Sequence, residues 1–233
     1  MWPLTKLSDE LVTITINPSE ISLGLIKPTK KASAPLELQS LRTIANKQIT
    51  IDSVLYNPTA LKNQITAFIN SYNLNNAFVA LCLTGAGVYE RLVVLPKSNP
   101  QPSDFAHLKL GKLSFDYTYL YPTDTGQFVF YVAGMSRELL FQYQLLILQT
   151  SLHLVSITTN AHVLFTLYRS LYGTAFRQTQ LAADMERSQC RLDLLFTPDM
   201  LHRLVNVRMG YAPEQFNHLL ALTGLYIAEK GME

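Results

Sequence analysis

The fold is decided by Leu11-Val-Thr-Ile-Thr-Ile-Asn-Pro-Ser-Glu-Ile-Ser-Leu-Gly-Leu-Ile26, near the start of the 233-residue chain. Two strand-like runs, residues 11–16 and 21–26, flank the turn signal Asn17-Pro18-Ser19. A third strand is predicted at residues 36–44, after a loop rich in Pro, Lys and Ser. The chain therefore opens with a β-hairpin that is followed by another strand.

Helices and strands alternate through the rest of the chain. Asn57-Pro58 opens an amphipathic helix with apolar residues at helical spacing. Residues 78–83 are almost continuously apolar, which is typical of a strand buried on both faces. Further helices are predicted at 103–112, 136–150, 161–171 and 213–229, and further strands at 89–95, 115–120, 127–133, 153–157, 180–185, 190–196 and 202–208. This alternation predicts an α/β fold.

The composition excludes several classes of protein. Hydrophobic residues make up 48% of the chain and charged residues 15%, whereas disordered chains have few apolar and many charged residues. The net charge is +2, without the dense basic patch that nucleic-acid binding requires, so no nucleic-acid partner is expected. Cys82 and Cys190 lie in strand-like patterns and are predicted to be buried thiols in a reducing compartment.

The most apolar segment spans residues 139–154. Several Gln, Thr and Ser residues interrupt it, and it falls short of the ~20 apolar residues that a membrane crossing needs. We therefore predict a buried helix there. The first residues lack the basic region and apolar region of a signal peptide, so a cytoplasmic protein without direct membrane insertion is expected.

Four stretches, in order along the chain, resemble the PilM branch of the actin-like superfamily. The opening hairpin resembles the first phosphate loop of that family, and residues 78–96 resemble its strand, turn and R-x-x-x-L-P strand, with Arg91 at the arginine. Residues 115–140 resemble its Asp-Tyr segment and the helix after it, and residues 220–228 resemble its closing helix. The resemblance implies an actin-like (ribonuclease H-like) α/β fold with an inserted α/β subdomain and a reduced second half.

The same resemblance implies a division of the chain into three parts. The first actin-like subdomain would comprise residues 1–84 and 152–172, and the inserted subdomain residues 85–151. Residues 173–233 would form the reduced second actin-like subdomain, in which a hairpin at 180–196 echoes the one at 12–26.

Nucleotide binding in this superfamily requires two facing hairpin turns, each with a carboxylate and a glycine. In the first turn Thr15 stands at the carboxylate position and Asn17 at the glycine position, and Pro18 removes a backbone N–H. In the second, Asp184 matches the carboxylate but Glu186 replaces the glycine and would repel a phosphate. We expect vestigial turns, with no catalysis, no cofactor and no metal. The alternative is an actin-like ATPase with an atypical nucleotide site.

A binding role is the main functional prediction. Proteins of the PilM family hold the short cytosolic tail of a single-span inner-membrane protein similar to PilN, in a cleft beside the inserted subdomain. The resemblance implies such a scaffold here, peripheral to the inner membrane through its partner, with Tyr89, Arg91, Val93 and Tyr131 as the predicted contacts; Val93 and Tyr131 are equally explained as core residues. It also allows a homo-oligomer or an assembly with a pilus ATPase complex. A further alternative is the cytoplasmic GspL-like module of type II secretion.

Overall fold

The computed structural model describes residues 11–29, 36–51, 53–108, 110–173, 183, 195–207 and 211–230. Its strands are β1 (Leu11–Ile16), β2 (Glu20–Pro28), β3 (Leu36–Ala45), β4 (Thr50–Ile51), β5 (Val54–Leu55), β6 (Phe78–Leu83), β7 (Val88–Leu95), β8 (Leu113–Pro122), β9 (Phe128–Ser136), β10 (His153–Thr159) and β11 (Val205–Val207). Its helices are α1 (Pro58–Tyr72), α2 (Arg137–Leu148), α3 (Asn160–Tyr172), α4 (Pro198–Leu204) and α5 (Phe216–Lys230), and short 3-10 helices cover Pro102–Leu108 and Pro213–Gln215.

Six of the described strands form the main sheet, in the order β10-β6-β1-β2-β3-β11. The predicted hairpin is confirmed, because β1 and β2 pair antiparallel with Ile16 opposite Ile21. β3 is antiparallel to β2, whereas β6 is parallel to β1 and β10 is parallel to β6. Since β1, β6 and β10 run in the same direction, their carboxyl ends lie at one edge of the sheet, which is where open α/β sheets bind ligands.

The main sheet is covered on both faces, so every residue of β1 is buried. Val12 and Ile14 face a hydrophobic cluster that includes α1 and α2. Leu11 and its neighbours on the other face belong to a second cluster, which includes α3 and α5. The predicted helix start at Asn57 is confirmed, because its side chain accepts a 3.0 Å hydrogen bond from the N–H of Ala60.

A second sheet is inserted between β6 and β10, in the order β7-β9-β8 with antiparallel pairing throughout. One of its faces packs on Phe105 of the 3-10 helix together with Val93 and Phe130. The other face carries Val129 and Tyr131 into the cluster that contains α3. The inserted sheet is therefore held by packing on both of its faces, and it lies directly beside the end of β10.

Helix α2 begins at the predicted cap, since the Ser136 hydroxyl accepts a 3.0 Å hydrogen bond from the N–H of Leu139. The predicted burial of this segment is correct for one side only. Tyr143 and Ile147 lie in the core, whereas Phe141 and Leu148 on the opposite side are 58% and 76% exposed. Within the described residues, no helix has both the length and the apolar character that crossing a membrane requires.

The C-terminal elements differ from their sequence prediction. The strand predicted at 202–208 is wrong over residues 202–204, which belong to α4, and only Val205–Val207 is a strand. The physical reason is a helix start at Thr197-Pro198: the Thr197 hydroxyl accepts from the N–H of Met200, and proline suits the first helical position. The predicted hairpin at 180–196 lies almost entirely outside the described residues, although Ala183 is helical, not extended.

The described part of residues 173–233 packs on the main sheet. β11 pairs with β3 at its edge, and the predicted closing helix is present as α5, which packs against the sheet and α3. The division of the chain into three subdomains stays a prediction.

Candidate functional site

A cleft of about 510 Å³ lies at the carboxyl ends of β1 and β6, where the actin-like resemblance places a nucleotide. It is called the strand-end cleft below. Its residues come from the β1–β2 turn, the end of β6, the start of α3 and the first turns of α5. They include Thr15, Asn17, Thr84, Asn160 and His218.

The β1–β2 turn has no N–H group to offer to a phosphate. The N–H of Asn17 donates to the carbonyl of Glu20 at 3.0 Å, and Pro18 has none. The N–H groups of Ser19 and Glu20 both donate to Asn17 Oδ1, at 3.1 and 2.7 Å. The asparagine side chain therefore satisfies its own turn, in the place where a glycine turn would leave N–H groups for a ligand.

The lining of the strand-end cleft is neutral or acidic. Thr15 is 5% exposed, and its hydroxyl has no hydrogen-bond partner among the described residues. Glu20 and Glu214 line the cleft, and none of its described lining residues is Lys or Arg. The His218 side chain contacts the carboxylate of Glu20 across the cleft. With no lysine or arginine among the described lining residues, the carboxylates of Glu20 and Glu214 disfavour a polyphosphate.

The second turn, with the predicted Asp184 and Glu186, lies outside the described residues. Among the residues that are described, no three His, Cys, Asp or Glu side chains cluster closely enough to hold a metal ion.

A second depression, of about 480 Å³, separates the inserted sheet from the main sheet. This inter-sheet groove has β8 on one side and β10 on the other, and residues of β9 between them. β8 and β10 are each the last described strand of their sheet. Both walls of the groove are therefore strand edges, where backbone N–H and C=O groups remain available for pairing.

A polar cluster joins the two sheets at one end of the inter-sheet groove. The Tyr131 hydroxyl donates to Glu90 Oε1 at 2.7 Å and lies 3.1 Å from the hydroxyl of Thr159. Glu90 Oε1 also accepts from the N–H of Ala161 at 3.2 Å, in the first turn of α3. Burial raises the pKa of Tyr131 and the Glu90 carboxylate raises it further, so the hydroxyl keeps its proton.

Charged side chains also line this groove. Asp116 comes from β8 and Glu229 from α5, and the hydroxyl of Ser156 on β10 donates to the Glu229 carboxylate. His162, in the first turn of α3, lies near both acids. Burial lowers the pKa of His162, and the two carboxylates oppose that shift only in part. The imidazole is therefore neutral at pH 7, and the groove carries a net negative charge.

The structure does not bring the four predicted contact residues together. Tyr131 lines the inter-sheet groove. Tyr89, Arg91 and Val93 alternate with Glu90 along β7 and so lie on the opposite face of the inserted sheet, where Val93 is buried beside Phe105. Residues 156–159 of β10, which form a wall of the groove, were not predicted. Their position depends on strand order, for which the sequence carries no local signal.

Comparison with solved structures confirms the predicted PilM-like α/β fold. The chain is similar to a chain of the PilM-PilN type IV pilus biogenesis complex, with a TM-score of 0.54 and 17% identity over 70% of this chain and 51% of that one. It thus spans about half the length of that protein.

Two weaker similarities are to other solved proteins. One is the cytoplasmic domain of EpsL, an inner membrane component of the type II secretion system of Vibrio cholerae, with a TM-score of 0.42 and 13% identity over 66% of this chain and 58% of that one. The other is a Bacteroides thetaiotaomicron protein of unknown function with an actin-like ATPase fold, with a TM-score of 0.39 and 14% identity over 74% and 61% of the two chains. No protein-family model and no curated protein matches the sequence.

Proposed function

We propose that this chain is a non-catalytic scaffold of a type IV pilus or related secretion machine. It binds the short cytosolic tail of a single-span inner-membrane protein similar to PilN, and this partner keeps it at the cytoplasmic face of the membrane. The fold similarity to a chain of the PilM–PilN complex supports the class of partner. The inter-sheet groove supports the mode of binding.

The observation that carries the proposal is the pair of strand edges that forms the walls of this groove. An extended peptide placed between β8 and β10 adds a strand to one edge, so that its backbone groups pair with those of the sheet. Alternate side chains of the peptide then point into the groove, toward Tyr131 and Ala133 on its floor. Binding of this kind needs no catalytic group.

The strand-end cleft supports a non-catalytic role. A phosphate approaching the β1–β2 turn meets a proline and two N–H groups that Asn17 already occupies. It also meets the carboxylates of Glu20 and Glu214. Thr15 supplies no charge for a metal ion at the first turn, and no lysine or arginine stands among the described lining residues to hold a phosphate.

Peptide binding to two matched variants tests the proposal. The labelled cytosolic tail of a single-span membrane protein similar to PilN is titrated, and anisotropy is recorded. Ser114 is exposed at the groove, and Ser103 is exposed on the 3-10 helix at the other face of the inserted sheet. We expect Ser114→Trp to raise the Kd by about tenfold or more because the indole fills the groove, and Ser103→Trp to leave it unchanged.

The same titration distinguishes the two faces of the inserted sheet. If the tail occupied the face that carries Tyr89 and Arg91, Tyr89→Ala and Arg91→Ala would weaken binding and Ser114→Trp would not. That result, or an unsubstituted chain that does not bind the tail, would overturn binding in the inter-sheet groove.

A further inference from the structure

Helix α2 exposes a stripe of large apolar side chains. Phe141, Leu145 and Leu148 follow one another at intervals of four and three residues, which places them on one face of the helix. They are 58%, 42% and 76% exposed. None of the three lines the inter-sheet groove, so this surface is distinct from the proposed peptide site.

The apolar surface continues from the helix onto the segment before α1. A depression of about 250 Å³ separates α2 from that segment, and Leu55, Pro58 and Leu145 line it. Tyr56, between the first two, is 68% exposed. Gln142 also lines this depression, and its Oε1 is buried and has no hydrogen-bond partner among the described residues.

The size of the apolar surface is that of an interaction site. Large apolar side chains carry roughly 200 Å² each, so the exposed fractions of the three stripe residues and Tyr56 amount to on the order of 500 Å². The largest apolar patch of a typical monomer has about this size and is often functional. One partner contributes about 800 Å² to a stable protein interface, and this patch amounts to more than half of that area.

The charge and symmetry of the stripe point to its occupant. From Leu139 to Leu154 the chain has no Asp, Glu, Lys or Arg. Helices that bind membrane surfaces carry lysines and arginines on their polar face, and α2 has none there apart from Arg137 in its first turn. A neutral surface brings no like-charge repulsion when two copies meet. Glutamine side chains, which flank the stripe at 142, 144 and 149, both donate and accept hydrogen bonds and so complement themselves.

We infer that a second copy of this chain docks on the stripe, with the two α2 helices antiparallel about a two-fold axis close to Leu145. The stripe matches itself in this arrangement: Phe141 of each copy lies against Leu148 of the other, and the two Leu145 side chains meet near the axis. An isologous contact of this form closes a dimer. It also buries a second apolar side of α2, whose first side, with Tyr143 and Ile147, lies in the core.

Sedimentation of the full chain tests the dimer. The unsubstituted chain is expected at twice its 26.3 kDa mass, in a concentration-dependent equilibrium. Leu145→Glu places a carboxylate in the contact and raises the dimer dissociation constant by about tenfold or more. Val94→Glu is the matched control, because Val94 is a 49% exposed apolar residue of the inserted sheet, and its dimer is expected to persist. Circular dichroism verifies that both variants are folded.

Disulfide trapping tests the geometry. Under mild oxidation Leu145→Cys is expected to form a disulfide-linked dimer with a second copy of itself. Phe141→Cys and Leu148→Cys are expected to form a disulfide-linked dimer when the two variants are mixed, and none when either is alone. The unsubstituted chain, with its own two cysteines, measures the background of this reaction. A monomer at every concentration overturns the inference, and so does a dimer that Leu145→Glu leaves intact. The chain could instead stay monomeric and float with anionic vesicles. If Phe141→Glu abolished that flotation, the stripe would be a membrane-binding surface.

Discussion

Tyr131 and Glu90 form a 2.7 Å hydrogen bond within the inserted sheet, and both side chains also contact the junction between the main sheet and α3. The two side chains lie on β9 and β7, but each has a second partner at the junction of β10 and α3. Glu90 accepts from the N–H of Ala161, and Tyr131 contacts the Thr159 hydroxyl. Because this junction also ends one wall of the inter-sheet groove, the cluster positions the two walls relative to one another.

Removing either side chain of this pair lowers stability. Tyr131→Phe is expected to cost about 1 kcal/mol, since it deletes a hydrogen bond and leaves Glu90 with the N–H of Ala161 alone. Because the two residues interact directly, the costs of Tyr131→Phe and Glu90→Gln do not add: a double-mutant cycle in urea gives a coupling of about 0.5–1.5 kcal/mol. A coupling of zero within error would show that the bond contributes nothing to the position of the inserted sheet.

Gly224 lets α5 pack against α3. A Cβ at this position would lie 2.6 Å from Val163 Cγ1, 2.9 Å from Leu167 Cγ and 3.0 Å from the carbonyl oxygen of Val163. Alanine normally stabilises a helix by about 1 kcal/mol relative to glycine. Here the overlap with a backbone atom outweighs that gain, and Gly224→Ala is expected to lower the free energy of unfolding by about 1–2 kcal/mol.

A matched glycine serves as control for this prediction. No atom lies within 4 Å of a Cβ built on Gly111, so Gly111→Ala is expected to change the free energy of unfolding by less than about 0.5 kcal/mol. Equal effects of the two substitutions in urea denaturation would contradict the close approach of α5 and α3.

Local signals in the sequence were sufficient for most elements. The alternating strands around Asn17-Pro18-Ser19 and the caps at Asn57 and Ser136 all appear in the structure as predicted. Helix α4 was missed because strand-like residues after Thr197-Pro198 outweighed a cap and an N-terminal proline. The sequence alone could have predicted this helix, since Thr197 and Pro198 are both recognised helix-start residues.

The candidate sites depend on non-local relations that the sequence does not carry. The alternation along β7 predicts two faces, but only the packing of the inserted sheet shows that Glu90, and not Tyr89 or Arg91, points toward the groove. In the same way, the apolar residues of α2 predict that the helix is buried, but they do not identify what packs against it. The β1–β2 turn differs from these sites, because Thr15, Asn17 and Pro18, which are expected to disfavour a phosphate there, lie within four positions of one another.

Nucleotide binding is expected to be absent. Calorimetry with ATP and magnesium gives no binding heat, and the melting temperature does not change at about 1 mM nucleotide, because a ligand that binds only the folded chain would raise it. The reason is the occupied β1–β2 turn and the acidic lining of the strand-end cleft. Binding that Asp184→Ala abolishes would establish the atypical ATPase site in place of the scaffold.

Stability is expected to fall as the pH drops below about 6.5, the pKa of histidine in an unfolded chain. His162 has a lowered pKa in the folded chain, since burial disfavours its charged form more than Glu229 and Asp116 favour it. Between the folded and unfolded pKa values the unfolded chain binds more protons, so acidification favours unfolding and the loss ends once the folded pKa is passed. His162→Gln removes this contribution and flattens the dependence of the free energy of unfolding on pH below about 6.5. His107→Gln is the control, because His107 is exposed on the 3-10 helix. An unchanged slope in His162→Gln would mean that another group carries the dependence and that His162 is solvated at the groove.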